Sequence, residues 1–599
     1  MQPQSLDTKG PGWPALSALV LLALALQALA WNAVEGYALS DSIEYLQLSG
    51  DLVEDGGLPA HAQVQRGPLY LLLLAPIALL LGSSSGSAEA NQLLLAQVLH
   101  FALVPLALLT AVRLGWRFGG RACALSAGIL VATNPVLLRF GRDPLPETAA
   151  GICLALAVER LTISTNRRSG LLAGLLAGLA GLFSYKTLPL VAGVLLALML
   201  LERWHGRVRW LGCALSLSGM LACGVLLDAW VYGQAGLSLS NYLVYNVGFV
   251  LVSLLVHLGL PDLAGQLSGY FVGYYGLKPQ AAPELVATRL AQRIEDQSST
   301  LWYLQEAPQF LLWPALLLVP WALVRLVRER RAGPTIACFA VLLFGLVVSH
   351  KHAKSFRLWL PALPLLAALI GLGSNAGLAL AARFGIGPRL SAAAFLLATT
   401  LFGWGAFSRS NPREHGHWWR ALDWLEAQSA HSPRSLHYGA DNWPVAFRSS
   451  RNLQLHPLPG TLAELGPDPQ AGVKALVEPL DWLLVSSLVL AQVPAAKAVV
   501  AREFEVAAAF FEPGNSVVFG PILALRRSGP GGRRFAEVLP AEPERDAGTA
   551  LAALALTTPA GDQRWLRLEA LGLEPLPGDG LSWLTLDWSL DGPLPFPPK

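Results

Sequence analysis

The chain has 599 residues, of which 53% are hydrophobic and 14% charged, against about 25% charged in an ordinary soluble protein. This composition excludes a soluble globular protein and points to the membrane. A formal net charge of +3 is unremarkable, and from Arg409 onward 17 Lys and Arg stand against 21 Asp and Glu, so the tail is not a nucleic-acid binder.

A hydrocarbon core of about 30 Å takes about 20 apolar residues per helix, and such runs recur over 15–407 and then stop. The first run, 15–33, is too long for a signal-peptide core and is followed by no clear cleavage site, so it is expected to remain as an anchor. The run PLYLLLLAPIALLLG, 68–82, is short for a crossing and carries prolines at its start and middle. It is expected to lie at the interface or to dip in and out.

Lys and Arg cluster at 113–121, 166–168, 202–209 and 325–331 and around Arg383 and Arg389, as in short cytoplasmic loops. These clusters share one side only if 68–82 does not span. Crossings are then predicted at 15–33, 91–112, 122–138, 148–163, 171–185, 188–201, 210–231, 310–324, 335–349, 358–373 and 391–407, eleven in all, with the amino terminus inside and the tail outside. The protein is expected in a bacterial inner (plasma) membrane. All five cysteines (Cys123, Cys153, Cys213, Cys223, Cys338) fall within apolar runs, which disfavours disulfides and a Cys-ligated zinc site and leaves them as small packing groups.

With this threading the segment around Asp41, FGRDPLPE (140–147), SYKT (184–187), the long 232–308 loop and SHKHAKSFR (349–357) emerge together on the outer face. The long loop holds a further apolar run, 247–260, and GYFVGYYGLK, which suits an interfacial anchor or a groove for an apolar chain. Beyond Arg409, strand and helix patterns alternate, with strands at SLHYGA, LQLHPLP, DWLLVSS, FEVAAAFF and VVFGPILALRR and helices at NWPVAFRSS, QAGVKALVEPL and LVLAQVPAAKAVVARE. This argues a small extracytoplasmic α/β domain, without GxGxxG, Walker loop or nucleophile elbow. The expected division is a membrane module at 1–408, the α/β domain at 409–528, and an accessory β-rich or loosely ordered extension at 529–599.

Asp41, Glu44 and Tyr45 fall at i, i+3 and i+4 and share one face if the segment is helical. Two carboxylates beside low-dielectric surroundings suit a base or metal ligands. The plainer alternative is a helix start, with Ser40 or Asp41 as N-cap and Glu44 closing a capping box. In RFGRDPLPETAAG, Pro144 and Pro146 extend the loop at Asp143 and place Glu147 in the first turn of the next helix, where the helix dipole favours a carboxylate; the functional alternative sets Glu147 facing Asp41 across a cavity. Arg66, Lys186, His350, Lys351, His352, Lys354 and Arg357 stand at outer ends of hydrophobic segments. Such residues often snorkel to headgroups, but a cluster against the positive-inside trend suggests a bound anion such as a phosphate.

In order and spacing, DSIEY, QRGPLYLLLLAPIALLLG, GRDPLPETAAG, LAGLLAGLAGLFSYKTLPL and KHAKSFRLWLPALPLLAALIG resemble the GT-C fold glycosyltransferases, in the branch with protein O-mannosyltransferases and aminoarabinose lipid A transferases. The resemblance covers roughly 31–373. It implies transfer of a sugar from a polyprenyl-phosphate donor to an acceptor on the outer side, with inversion. It makes Asp41 the catalytic acid or base and Glu147 a second acid, with Asp143 still a candidate because many relatives carry Asp in that loop. Arg66 stands where relatives place a Lys that meets carrier phosphate, with Lys186, Lys351, Lys354 and Arg357 as partners. Asp41 and Glu147 would be the ligands if a divalent ion, Mg²⁺ or Mn²⁺, takes part. The rival readings are a transporter or flippase for a lipid-linked or anionic substrate, for which only Glu159 and Asp228 approach mid-span, and a non-catalytic assembly or sensor protein.

Overall fold

The computed structural model describes residues 12–34, 40–58, 66–81, 86–203, 209–243, 248–260, 262–267, 302–350, 355–409, 416–430, 436–440, 453–457, 469–486, 499–500, 502–510, 522–528, 552–557, 563–575 and 582–590. The chain divides into two compact units, one of residues 1–84 and 88–412, the other of 85–87 and 413–599.

The first unit is helical. Its opening helices are α1 (Trp13–Ala33), α2 (Ser40–Asp55), α3 (Pro68–Leu81), α4 (Gly86–Gly119), α5 (Arg121–Ala132), α6 (Pro135–Phe140), α7 (Pro146–Ile163), α8 (Arg167–Phe183), α9 (Leu188–Arg203) and α10 (Arg209–Tyr232). Among the described residues seven helical segments are long and apolar enough to cross a membrane, at Trp13–Ala33, Asn91–Gly119, Tyr185–Arg203, Arg209–Tyr232, Ala332–Ser349, Phe356–Arg383 and Pro388–Arg409. The protein is a polytopic integral membrane protein. At 14 residues, α3 is short of a crossing, as its sequence implied.

The eleven expected crossings differ from these seven for local reasons. The run 122–138 breaks at Asn134, whose side-chain oxygen accepts from Val136 N at 3.0 Å and caps α6 with Pro135 at its first position. The run 310–324 is divided among Ala307–Leu311, Trp313–Leu316 and Val319–Glu329, with prolines at the starts of all three. Helix α7 carries Glu147, Glu159 and Arg160 within its 18 residues, and α8 stops at 17.

Close packing comes from small residues. In RRSGLLAGLLAGLAGLF, glycines at 170, 174 and 178 form a stripe at four-residue spacing along the α8 face that meets α10. A Cβ at Gly170 or Gly174 would run into the carbonyl oxygens of Arg209 and Cys213, and one at Gly178 into the Met220 side chain. With no hydrophobic drive between helices in lipid, such backbone approach supplies much of the association. Gly151 does the same between α7 and the 3₁₀ turn Phe356–Ala362, since a Cβ there would lie 2.9 Å from Pro361 O.

In the second unit, β1 (Leu436–Ala440), β2 (Leu453–Pro457), β3 (Trp482–Ser486), β4 (Phe504–Phe510) and β5 (Ile522–Arg527) form one sheet in the order β2-β1-β3-β5-β4. Strand β1 runs parallel to β2 and β3, whereas β5 runs antiparallel to β3 and β4. Each of the five strand segments anticipated from the sequence contains a strand, with 517–521 of the last lying outside the described residues. Alternation sets Trp482 and Leu484 on one face with Trp418, Leu422 and Leu425 of helix Gly416–Ser429, and Leu483 and Val485 on the other with Val473 and Val477 of helix Pro469–Val477. The anticipated helix at 442–450 and most of that at 488–503 lie outside the described residues. The extension forms a second, antiparallel sheet of β6 (Ala552–Thr557), β7 (Gln563–Pro575) and β8 (Ser582–Leu590).

Candidate functional site

The site is assembled from helix ends. Helix α2 begins at Ser40, so Asp41 lies in its first turn and Asp41, Glu44 and Tyr45 share a face as their spacing predicts. That face meets one guanidinium. Arg66 Nη2 donates to Asp41 Oδ1 at 3.1 Å and to Glu44 Oε2, and the Arg66 guanidinium carbon stands 4.9 Å from the Tyr45 ring centroid. Glu44 therefore serves Arg66, rather than turning back to close a capping box.

A second guanidinium reaches the same carboxylate from more than 300 residues away, with Arg357 Nη2 donating to Asp41 Oδ2 at 2.5 Å. Arg357 occupies the turn Phe356–Ala362, next to α7 at the Gly151 approach. Glu147, in the first turn of α7 and 0% exposed, accepts from Lys186 Nζ at 2.6 Å through Oε1, while its Oε2 has no hydrogen-bond partner among the described residues. Lys186 sits in the 3₁₀ turn Tyr185–Thr187. The turn is held by neighbours: Ser238 Oγ donates to Asp228 Oδ1 at 2.6 Å, so it accepts from the Tyr185 hydroxyl at 2.9 Å.

The Asp41 side chain is 25% exposed. Burial alone raises its pKa, but the charges of Arg357, Arg66 and Lys186 outweigh that and hold the carboxyl well below the usual range. Three carboxylates thus face three cations, with both oxygens of Asp41 engaged.

Asp143 is the other candidate acid. It lies 3.7 Å from Arg142 Nε, with both side chains almost fully buried, whereas Glu147 joins the basic cluster. His350 lies just past helix Ala332–Ser349, with its backbone N–H on Val347 O at 3.2 Å. Lys351, His352 and Lys354 lie outside the described residues.

Supports of the site that the sequence did not single out are aromatic and hydroxylic. Tyr232 donates to Arg66 O at 2.9 Å, and the Tyr70 ring meets Tyr45 edge-on at 4.9 Å. The Ala96 carbonyl oxygen accepts from His100 Nδ1 at 2.8 Å, so in the neutral ring Nε2 accepts from the Tyr70 hydroxyl at 2.6 Å. The Tyr70–His100 and Tyr232–Arg66 pairs span 30 and 166 residues and leave no local pattern to read.

The two carboxylates expected as ligands of a divalent ion are engaged by cationic side chains. Both Asp41 oxygens and one of Glu147 accept from cationic side chains. Among the described residues no group of three or more His, Cys, Asp or Glu is placed to hold a metal.

No protein-family model matches the sequence, and no curated protein matches it significantly. Solved structures do match. ArnT from Cupriavidus metallidurans in the apo state superposes with a TM-score of 0.50 at 13% identity, over 85% of this chain and 98% of that one. The Archaeoglobus fulgidus oligosaccharyltransferase in the apo form gives 0.48 at 14% identity over 85% and 75%, and the arabinofuranosyltransferase AftD from Mycobacteria gives 0.39 at 14% over 88% and 40%. The likeness to ArnT extends over nearly the whole of that protein, and the fold is the GT-C fold of membrane glycosyltransferases.

Proposed function

We propose that the protein transfers a sugar from a polyprenyl-phosphate donor to an acceptor on the outer face of the membrane, with inversion at the anomeric carbon. The observation that carries this reading is the convergence of Arg66 and Arg357 on Asp41, with Lys186 and Glu147 alongside. Paired guanidinium forks match phosphate oxygens, and they lie beside a carboxylate able to address a hydroxyl.

In the transfer, the bond from the anomeric carbon to the phosphate oxygen breaks and its electron pair leaves with the polyprenyl phosphate. A new bond forms from the acceptor oxygen on the opposite face. Asp41 orients the acceptor hydroxyl and receives its proton; because neighbouring charge makes this carboxylate a weak base, the proton moves late, when the attacking oxygen has become acidic. Arg66, Arg357 and Lys186 stabilise the charge growing on the departing phosphate. The buried Glu147 Oε2 is an acceptor for a hydroxyl of the sugar or of the acceptor molecule.

The transporter reading loses its two mid-span acids to structural duties. Glu159 accepts from Arg113 at 3.0 Å, and Asp228 accepts from Ser238 N at 2.9 Å, capping helix Leu237–Tyr242. The test is Asp41→Asn in cells and in purified protein, with mass spectrometry of envelope glycans and lipids as the readout. The variant is expected to remain folded and membrane-inserted while transfer falls by about two orders of magnitude or more. Transfer at the parent rate would remove Asp41 from the chemistry.

A further inference from the structure

Tyr303 holds the residue that caps the Arg357 turn. It is 8% exposed and lies in the short helix Trp302–Gln305. Its hydroxyl engages both backbone groups of one residue, accepting from Ser355 N at 3.1 Å and donating to Ser355 O at 3.2 Å. Ser355 is extended, at φ −153° and ψ 133°, and a single phenol thus satisfies the donor and acceptor that a neighbouring strand would otherwise meet. Ser355 Oγ in turn accepts from Arg357 N at 3.3 Å and caps the 3₁₀ turn.

The ring adds a second grip. A 3₁₀ turn has three residues per turn, so Phe356 and Trp359 fall on one face and Arg357 projects from another. The Tyr303 ring lies 6.4 Å from Phe356 and 5.8 Å from Trp359. Phe310 stacks on Phe356 at 5.9 Å, and Phe344 meets Trp359 edge-on at 5.4 Å. Gripping that face fixes the rotation of the turn about its own axis, and the rotation decides where the Arg357 guanidinium points.

We infer that Tyr303 is a positioning residue that aims Arg357 at the anion site and thereby sets affinity for the donor's phosphate group. This rests on the reading of Arg357 as a phosphate ligand. The test measures binding of geranyl monophosphate, with geraniol as the uncharged control, to the full-length protein in nanodiscs. Tyr303→Phe keeps the ring and removes both hydrogen bonds; it is expected to weaken phosphate binding by about tenfold and to leave geraniol binding unchanged. Arg357→Ala is expected to weaken phosphate binding further, and the double variant to bind no more weakly than Arg357→Ala alone, since the two residues act through one contact.

Ser355→Ala, which removes only the Oγ cap, is expected to show a smaller loss in the same direction and serves if Tyr303→Phe does not fold. If Arg357→Ala weakens binding and neither Tyr303→Phe nor Ser355→Ala does, the positioning role is wrong and the phosphate site stands. Equal losses for phosphate and geraniol also overturn it, because they report lost packing rather than a misaimed charge. If Arg357→Ala itself binds as the parent does, the phosphate-site reading falls and takes this inference with it.

Discussion

Because Asp41 accepts from both Arg66 and Arg357, burial and charge act on it in opposite directions, and charge prevails. A carboxylate held below its ordinary value of about 4 keeps its ion pairs at all higher pH and loses them only as the pH falls through the depressed value. The parent is therefore expected to show no acid limb from this group between about pH 5 and 8. Arg357→Gln removes one of the two cations and lets burial regain weight, so the acid limb of transfer moves upward by about one to three units. A pH profile superimposable on the parent's would show that Arg357 does not set the Asp41 charge. Glu147 offers a second case. It is fully buried, and Lys186→Met would strand its charge at a cost of about 3–5 kcal/mol, seen as a lower thermal midpoint in detergent. Adding Glu147→Gln is expected to recover most of that loss; a double variant as unstable as the single would mean that Lys186 matters to stability through its packing. The charged partners were legible in the sequence because carboxylates and clustered bases at membrane borders are rare. Their aromatic supports were not, since a tyrosine such as Tyr70 or Tyr303 in an apolar protein looks like any other packing residue until a distant partner is brought to it.

At the scale of elements, the clearest local signal is the glycine stripe of α8, which presses against the α10 backbone. Gly174→Val places branched atoms against the Cys213 carbonyl and is expected to destabilise by about 1–3 kcal/mol. Gly219→Val, at a point of α10 with nothing within 4 Å of a new Cβ, is the matched control and is expected to be nearly neutral in the same melt. Equal losses at the two positions would mean that glycine at 174 is not chosen for close approach. Alternating strands, glycine spacing and proline positions could all be read in the sequence, because each reports a period or a backbone restriction within a few residues. The divided segments at 122–138 and 310–324 read as single crossings because their hydropathy is continuous. What ends their helices is the Asn134 cap and the prolines at helix starts, which a hydropathy window averages away.

For the whole molecule the decisive question is which rim faces outward. Asp41, Arg66, Glu147, Lys186 and Arg357 come from five separate chain segments, each at a helix end or in a turn between helices, and all five are tied to a neighbour by an ion pair within 3.1 Å. The side of any one therefore fixes the side of the others. Arg167 and Arg168 at the start of α8 and Arg203 at the end of α9 stand at the opposite ends of these helices from the Lys186 turn, and positive loops stay in the cytoplasm. Single cysteines in a Cys223→Ser background, which removes the exposed native thiol, test this with an impermeant maleimide on intact cells. Ser349→Cys, at the end of helix Ala332–Ser349, and Ser84→Cys are expected to label from outside. Arg168→Cys, exposed in the first turn of α8, is expected to label only after the cells are opened. The reverse pattern would turn the whole site toward the cytoplasm. The donor would then be met before it crossed the membrane, and an acceptor on the outer face would be out of reach.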